Sequence, residues 1–248
     1  MEVHAHTHTP RKKWTHYFWE FLMLFLAVFC GFLAEYQLEH KIEKDREKQY
    51  MKSFLSDLQN DTMNLNEGFP RKDGRLQAID SLFIFFQDHR GEKIVPGTVI
   101  RQMRRTTWDR HYRRNTATSD QLKNAGGFRL IRKKSIADSI AAYDLQWQRA
   151  EFWREGYITL QEKAKDMLHE ILPADQLLSL YQEERGFQRS FSEIESLQFK
   201  INTEFLNKFL NFLGDQKIYT RQDKAAYQAI EQSAERLIDL IKKEYRLK

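Results

Sequence analysis

The segment W-T-H-Y-F-W-E-F-L-M-L-F-L-A-V-F-C-G-F-L-A-E-Y, Trp14 to Tyr36, limits what this chain can fold into more than any other stretch. No charge interrupts it from Phe21 to Ala34. Extended to Tyr17 and Tyr36 it reaches roughly twenty residues, about 30 Å as a helix, which matches the hydrocarbon thickness of a bilayer. Trp14, Tyr17 and Trp19 at one end and Tyr36 at the other stand where aromatic rings favour the headgroup layer. The run is apolar on every side, unlike the single apolar stripe of a helix packed on a soluble core, and Arg11, Lys12 and Lys13 flank it. A single membrane-spanning helix is predicted over 14–37. Signal cleavage is opposed by Phe29, Phe32 and Leu33, which stand where a cut site needs small residues. The bulk of Phe29 likewise opposes lipidation of Cys30.

The remaining chain is polar. Of 248 residues 30% are charged, and only 4 prolines and 10 glycines interrupt a sequence rich in helix formers, so the expected class is all-α. Residues 1–13 read as a flexible basic tail. From the span the helical pattern runs on through a charged stalk, 38–50, so that Trp14 to Asn66 is expected to be one helix ended by the break E-G-F-P-R-K-D-G, Glu67 to Gly74. Residues 51–248 are expected to form a soluble helical domain, the simplest arrangement being an antiparallel bundle.

Within it the periodicity predicts a helix across Arg75 to Gln87, a break over Gly91 to Gly97, and a short helix from Val99. A capping box at Thr118 and Gln121 opens a helix closed by Gly126 and Gly127. A long helix starts at Ser135 and runs to Pro173, and a shorter one covers Pro173 to Arg185. The capping box at Ser190 and Glu193 opens a helix that Gly214 stops, and Thr220 opens the last.

Several residues are candidates for function. Ala27, Cys30, Gly31 and Ala34 put four small residues on one face of the span, which lets helices approach closely in lipid. Glu20 is an acid near the membrane, either a functional group or a side chain reaching the headgroups. The alternating His4, His6 and His8 can ligate a transition metal or be a solvated tail.

The region 101–134 is strongly basic, with Arg101, Arg104, Arg105, Arg110, Arg113, Arg114, Lys123, Arg129, Arg132, Lys133 and Lys134 against Asp109 and Asp120. Trp108, His111 and Tyr112 are interleaved with them. Two readings stand: a surface for phosphates, headgroups or bases, and a face paired internally with acidic helices. No nucleophile elbow, P-loop, zinc-protease, C-x-x-C or dinucleotide motif is present.

The opening H-x-H-x-x-P-R-K-K-W running into W-E-F-L-M-L-F-L-A-V resembles a family of uncharacterised single-span bacterial membrane proteins. The stretch T-x-x-Q-L-K-N-A-G-G-F-R-L-I, Thr118 to Ile131, is similar to a second signature of that family, with Asn124 and Ala125 in place of two serines. The resemblance implies a bacterial membrane protein with a helical soluble domain and brings no activity, cofactor or functional residue with it.

The resulting expectation is a membrane-anchored, non-enzymatic scaffold or accessory subunit without a cofactor. Its partners are the lipid bilayer and either copies of itself or another membrane protein. Lys and Arg before the span favour a cytoplasmic N-terminus and an exoplasmic domain, which disfavours nucleic acid as a ligand. The alternative is a sensor of anionic ligands, lipid headgroups or nucleic acid, acting through 101–134.

Overall fold

A computed structural model of the chain describes residues 13–89, 94–107, 109, 112–124, 126–174, 196–198 and 203–247. Among the described residues the protein is all-α apart from one short two-stranded pairing. Helix α1 spans Trp14–Asp88, followed by strand β1 Ile94–Pro96, α2 Gly97–Arg105, α3 Ala117–Asn124, a 3-10 turn Gly127–Leu130, α4 Lys134–Ile171, strand β2 Ser196–Gln198 and α5 Thr203–Tyr245. The chain divides into two compact units, Met1–Tyr50 and Met51–Lys248. In the first, α1 is long and apolar enough to cross a membrane, and none of its apolar window is buried.

The second unit is ordered by a seven-residue repeat. On α1, Met51, Leu58, Leu65, Lys72, Ile79 and Phe86 are buried, and so are Phe54, Asp61, Gly68, Arg75 and Leu82. The same spacing buries Ile136, Tyr143, Ala150, Tyr157 and Ala164 on α4, and Leu206, Leu213, Thr220, Tyr227, Ala234 and Ile241 on α5. A sustained heptad keeps each seam facing its neighbours, as in coiled coils.

Three pairs fix the direction of α5 against α1. Asp80 meets Lys217, Asp73 meets Lys224 and Asn66 meets Glu231, a step of one heptad back along α1 for each heptad forward along α5, so the two are antiparallel. Contacts of Lys133 with Glu244, Trp147 with Tyr227, and Gly156 with Tyr219 make α4 and α5 antiparallel as well. Helices α1 and α4 therefore run the same way, in register at Asp61 with Tyr143 and Arg75 with Tyr157.

A parallel pair needs a connection that returns along the bundle. The described residues of 106–118 form that strap. It runs back along α1 through Arg75 to the Thr106 carbonyl, Lys72 to Asp109, Asp61 to the Asn115 N–H, and Asp57 to the Thr118 N–H. Where α1, α4 and α5 come together at their other end, Phe86, Met167 and Phe209 share an apolar cluster with Val95, Val99, Ile100 and Met103 from β1 and α2.

Several boundaries differ from those expected. Helix α1 does not stop at Glu67–Gly74 but continues through Gly68, Pro70 and Gly74 to Asp88. An interior proline costs about 3 kcal/mol and a glycine about 1 kcal/mol. Full burial of each large apolar side chain gains about 1.5–3 kcal/mol, and the seam has several on both sides of the interruption. Packing therefore wins.

The same reasoning applies to Gly214, which lies inside α5 rather than ending a helix, so Thr220 opens nothing. Part of the expected break at 91–97 is β1, and Ser196–Gln198, expected in a helix, is the strand that pairs with it, Val95 opposite Leu197. Thr118 lies within α3 rather than capping it; the Asp57 carboxylate and the Asn115 side chain accept its first N–H groups instead. Gly126, at φ 65°, closes α3 in the left-handed conformation as expected. The Ser190–Glu193 box and nearly all of 173–185 lie outside the described residues.

Gly68 has a second role. A Cβ built there falls 1.5 Å from the Tyr112 hydroxyl oxygen, so the strap's tyrosine lies directly on the α1 backbone. At Gly74 a Cβ meets nothing within 4 Å. Gly68→Ala is expected to destabilise the domain by about 1–3 kcal/mol through overpacking, and Gly74→Ala to stabilise it by roughly 0.5–1 kcal/mol. Chemical unfolding of the full chain in mild detergent separates the two; equal effects would mean that Tyr112 does not rest on α1.

Candidate functional site

The heptad seam of α1 carries two cations into the interior. Lys72 is 1% exposed and Arg75 is 3% exposed. Around Lys72 the fold assembles groups from every other layer: Asp109 and Tyr112 from the strap, Tyr157 from α4, and Asp223 and Tyr227 from α5. The Lys72 Nζ donates to Asp109 Oδ2 at 2.9 Å and to Asp223 Oδ2. The rings of Tyr157, Tyr112 and Tyr227 surround it at 5.2, 5.5 and 5.5 Å to their centroids, within cation–π range. Tyr157 donates its hydroxyl to Asp109 Oδ2 at 2.6 Å, and the Arg75 guanidinium lies over the Tyr157 ring at 5.3 Å. Arg75 and Gln216 both donate to the Thr106 carbonyl, at 2.6 and 3.1 Å.

Two buried cations and two buried carboxylates balance in charge. Burial alone pushes the Lys72 ammonium down, but Asp109, Tyr157 and Asp223 outweigh it and hold the group above the ordinary lysine range. Burial likewise pushes Asp109 up, and the Lys72 charge with hydrogen bonds from Tyr157 and Lys72 brings it below the usual carboxylate range. Burial is the main cause of the Tyr157 phenol being pushed up to about 12, with the neighbouring charges of Arg75 and Asp109 acting in opposite senses. An ammonium held protonated has no lone pair for nucleophilic attack or proton abstraction. What this arrangement can do is fix a charge and, through it, the register of α1, the strap, α4 and α5.

A second polar cluster lies on α1 below the first. Asp61 accepts from the Tyr143 hydroxyl at 2.9 Å and from the Asn115 N–H at 2.8 Å, and Asn115 also donates to Asp57 at 2.8 Å. Arg114 lies over the Tyr143 ring at 4.8 Å and pairs with Asp144, which Lys123 also reaches at 2.8 Å. Burial raises Asp61 despite the hydrogen bonds from Asn115 and Tyr143.

The candidates drawn from the sequence are dispersed. Arg104 is buried and donates to Thr107, Arg114 is consumed by Asp144, and Lys133 pairs with Glu244. Arg101, Arg105, Arg113, Arg129, Arg132 and Lys134 are exposed. The basic region is thus part interior and part surface. Ala27, Cys30, Gly31, Ala34 and Glu20 are exposed on α1.

His4, His6, His8, Arg110, Trp108 and His111 lie outside the residues whose side chains are described. Among the described residues no group of three or more His, Cys, Asp or Glu is placed to hold a metal. The residues missed from sequence, Lys72, Arg75 and Asp223, had one available signal: each continues a seven-residue buried series. No family model, curated protein or solved structure matches the chain.

Lys72→Met leaves Asp109 and Asp223 buried without their cation and is expected to cost about 3–5 kcal/mol in chemical unfolding. The pH dependence follows from the directions of the shifts. Asp109 is depressed, so its contribution is full above its unfolded pKa of about 3.9 and is lost as pH falls through the folded value. Lys72 is raised, so its contribution is full below about 10.4 and is lost as pH rises through the folded value. Asp61 is raised and works against Asp109: its contribution is present below about 3.9 and lost as pH rises. Stability measured against pH should therefore lose part of its acid limb in Asp109→Asn; an unchanged limb would contradict the assignment.

Proposed function

We propose that this chain is a membrane-anchored accessory or scaffold protein, non-enzymatic, whose helical domain assembles with a protein partner or with copies of itself. In this reading the anchor is the apolar part of α1 in a bacterial inner membrane. Basic residues ahead of it keep the N-terminus cytoplasmic and place the domain on the far side.

The observation that carries the assembly reading is the pair Phe152 and Trp153 on α4. Their side chains are 76% and 52% exposed, edge to face at 5.6 Å, with Leu145 exposed two turns back on the same helix. Large aromatic side chains left in water are the residues that dominate binding energy where proteins meet. The ordered interior supports the same reading, because a rigid face presents its anchors at low entropic cost.

The full chain, purified from membranes in mild detergent, is expected to retain a stoichiometric partner or to cross-link to itself. Phe152→Ser with Trp153→Ser should lower that recovery by roughly 30-fold, as loss of a 2 kcal/mol hot spot does. Gly31→Leu separates association through the span from association through the domain: it weakens cross-linking only if the small-residue face holds the helices together. Recovery of the unaltered chain alone and monomeric would overturn the proposal.

A further inference from the structure

We infer that the occupant of the exposed α4 face is a second copy of this chain, the two α4 helices packing side by side and running the same way about a two-fold axis along them. The inference rests on the assembly reading proposed above and names the partner for the same surface.

Spacing defines the face. Leu145, Gln148, Phe152, Gly156 and Thr159 follow one another at steps of three or four residues, and all five are exposed. At about 100° per residue they lie within about 40° of Phe152, a stripe roughly 21 Å long. The stripe stands opposite the buried side of α4, where Tyr143, Ala150 and Tyr157 face the interior. Nothing within the domain covers it, and its centre carries the aromatic pair Phe152 and Trp153, edge to face at an interplanar angle of 81°.

Charges sort to the two flanks of this stripe. Arg149 lies about 60° to one side of Phe152, while Glu155 and Glu151 lie about 60° and 100° to the other. All three are exposed, and among the described residues none of them makes an ion pair. The face is therefore basic along one edge and acidic along the other.

That pattern selects the occupant. A two-fold axis along the helices turns the second copy so that the basic edge of each meets the acidic edge of the other, and the match is made twice. Phe152 then packs against its counterpart, and Leu145 against its own two turns away. Pairing the helices head to tail would instead bring Glu151 and Glu155 beside the same two acids of the partner, and like charges in contact are disfavoured. The apolar centre supplies the attraction and the edges set the direction. The same axis keeps α1 of both copies running the same way. A protein of another kind would have to present this face's complement, whereas a second copy carries it already.

The test is position-specific cross-linking of the full chain in mild detergent. Cys30 is the only cysteine, so Cys30→Ser, which keeps a small residue in the span, gives a background for single cysteines. A disulfide needs Cβ atoms about 4 Å apart. Leu145→Cys and Thr159→Cys are each expected to bridge to their own counterpart on mild oxidation, and Ile218→Cys, exposed on α5, is expected not to. Arg149→Glu should lower the Thr159→Cys bridge about tenfold, as should Glu151→Arg with Glu155→Arg, and the three changes together should restore it. Loss without that rescue overturns the charge-matched pair. Bridges formed only between Leu145→Cys chains and Thr159→Cys chains in a mixture mean head-to-tail packing and overturn the proposal. Recovery of a different protein in stoichiometric amount, with no bridge between copies, overturns it and leaves the assembly reading standing. A chain found alone and monomeric overturns both.

Discussion

The domain is organised around a protonated lysine that the heptad repeat carries into its interior. Lys72 occupies a seam position between Leu65 and Ile79, where an apolar side chain is the default. An isolated buried ammonium is too costly to persist, and the fold meets that cost with two carboxylates and three aromatic rings drawn from separate elements. Because Asp109 comes from the strap and Asp223 from α5, the charge can be neutralised only when both are in register with α1. A purely apolar seam would bury as much surface in several sliding registers; this one has a single solution. The role parallels that of a lone polar residue in a coiled-coil seam, which fixes alignment at some expense of stability.

The parallel run of α1 and α4 follows from the same constraint. Two parallel helices require the intervening chain to travel back the length of the bundle, and backbone outside a helix or sheet has groups that need partners. Arg75, Asp61 and Asp57 supply them from α1, so polar residues at seam positions serve the strap rather than the helices. Gly68 belongs to this arrangement, since the absence of its side chain lets Tyr112 lie against the helix and bring its ring to Lys72. The glycine that reads as a helix breaker is a packing residue.

Much of the architecture was legible in the sequence, and the misreadings share one cause. The apolar span, the long α4 ending at Pro173 and the buried face of α5 follow from hydrophobic periodicity alone. Gly68 with Pro70, and Gly214 with Thr220, read locally as stops, but continuous burial on both sides outweighs their propensity. The short strands β1 and β2 were hidden because three residues give no period to detect. Lys72, Arg75 and Asp223 were passed over because charged residues are normally assigned to the surface. Counting sevens through the apparent break, Leu58, Leu65, Lys72, Ile79, exposes Lys72 as a seam residue. Which carboxylates meet it depends on the path of the strap, and that is tertiary information.

The buried charges hold the frame, while the apolar stretch of α1 and the aromatic pair on α4 are exposed. The account therefore stands on Lys72 being charged where it is buried. Nuclear magnetic resonance of the full chain labelled at lysine side-chain carbons, titrated from neutral to alkaline pH, observes that charge directly. The account expects one lysine signal, absent in Lys72→Met, to remain in the ammonium form past about pH 10.4, where exposed lysines lose their proton. A Lys72 signal that titrates with the exposed lysines, or below them, would contradict it.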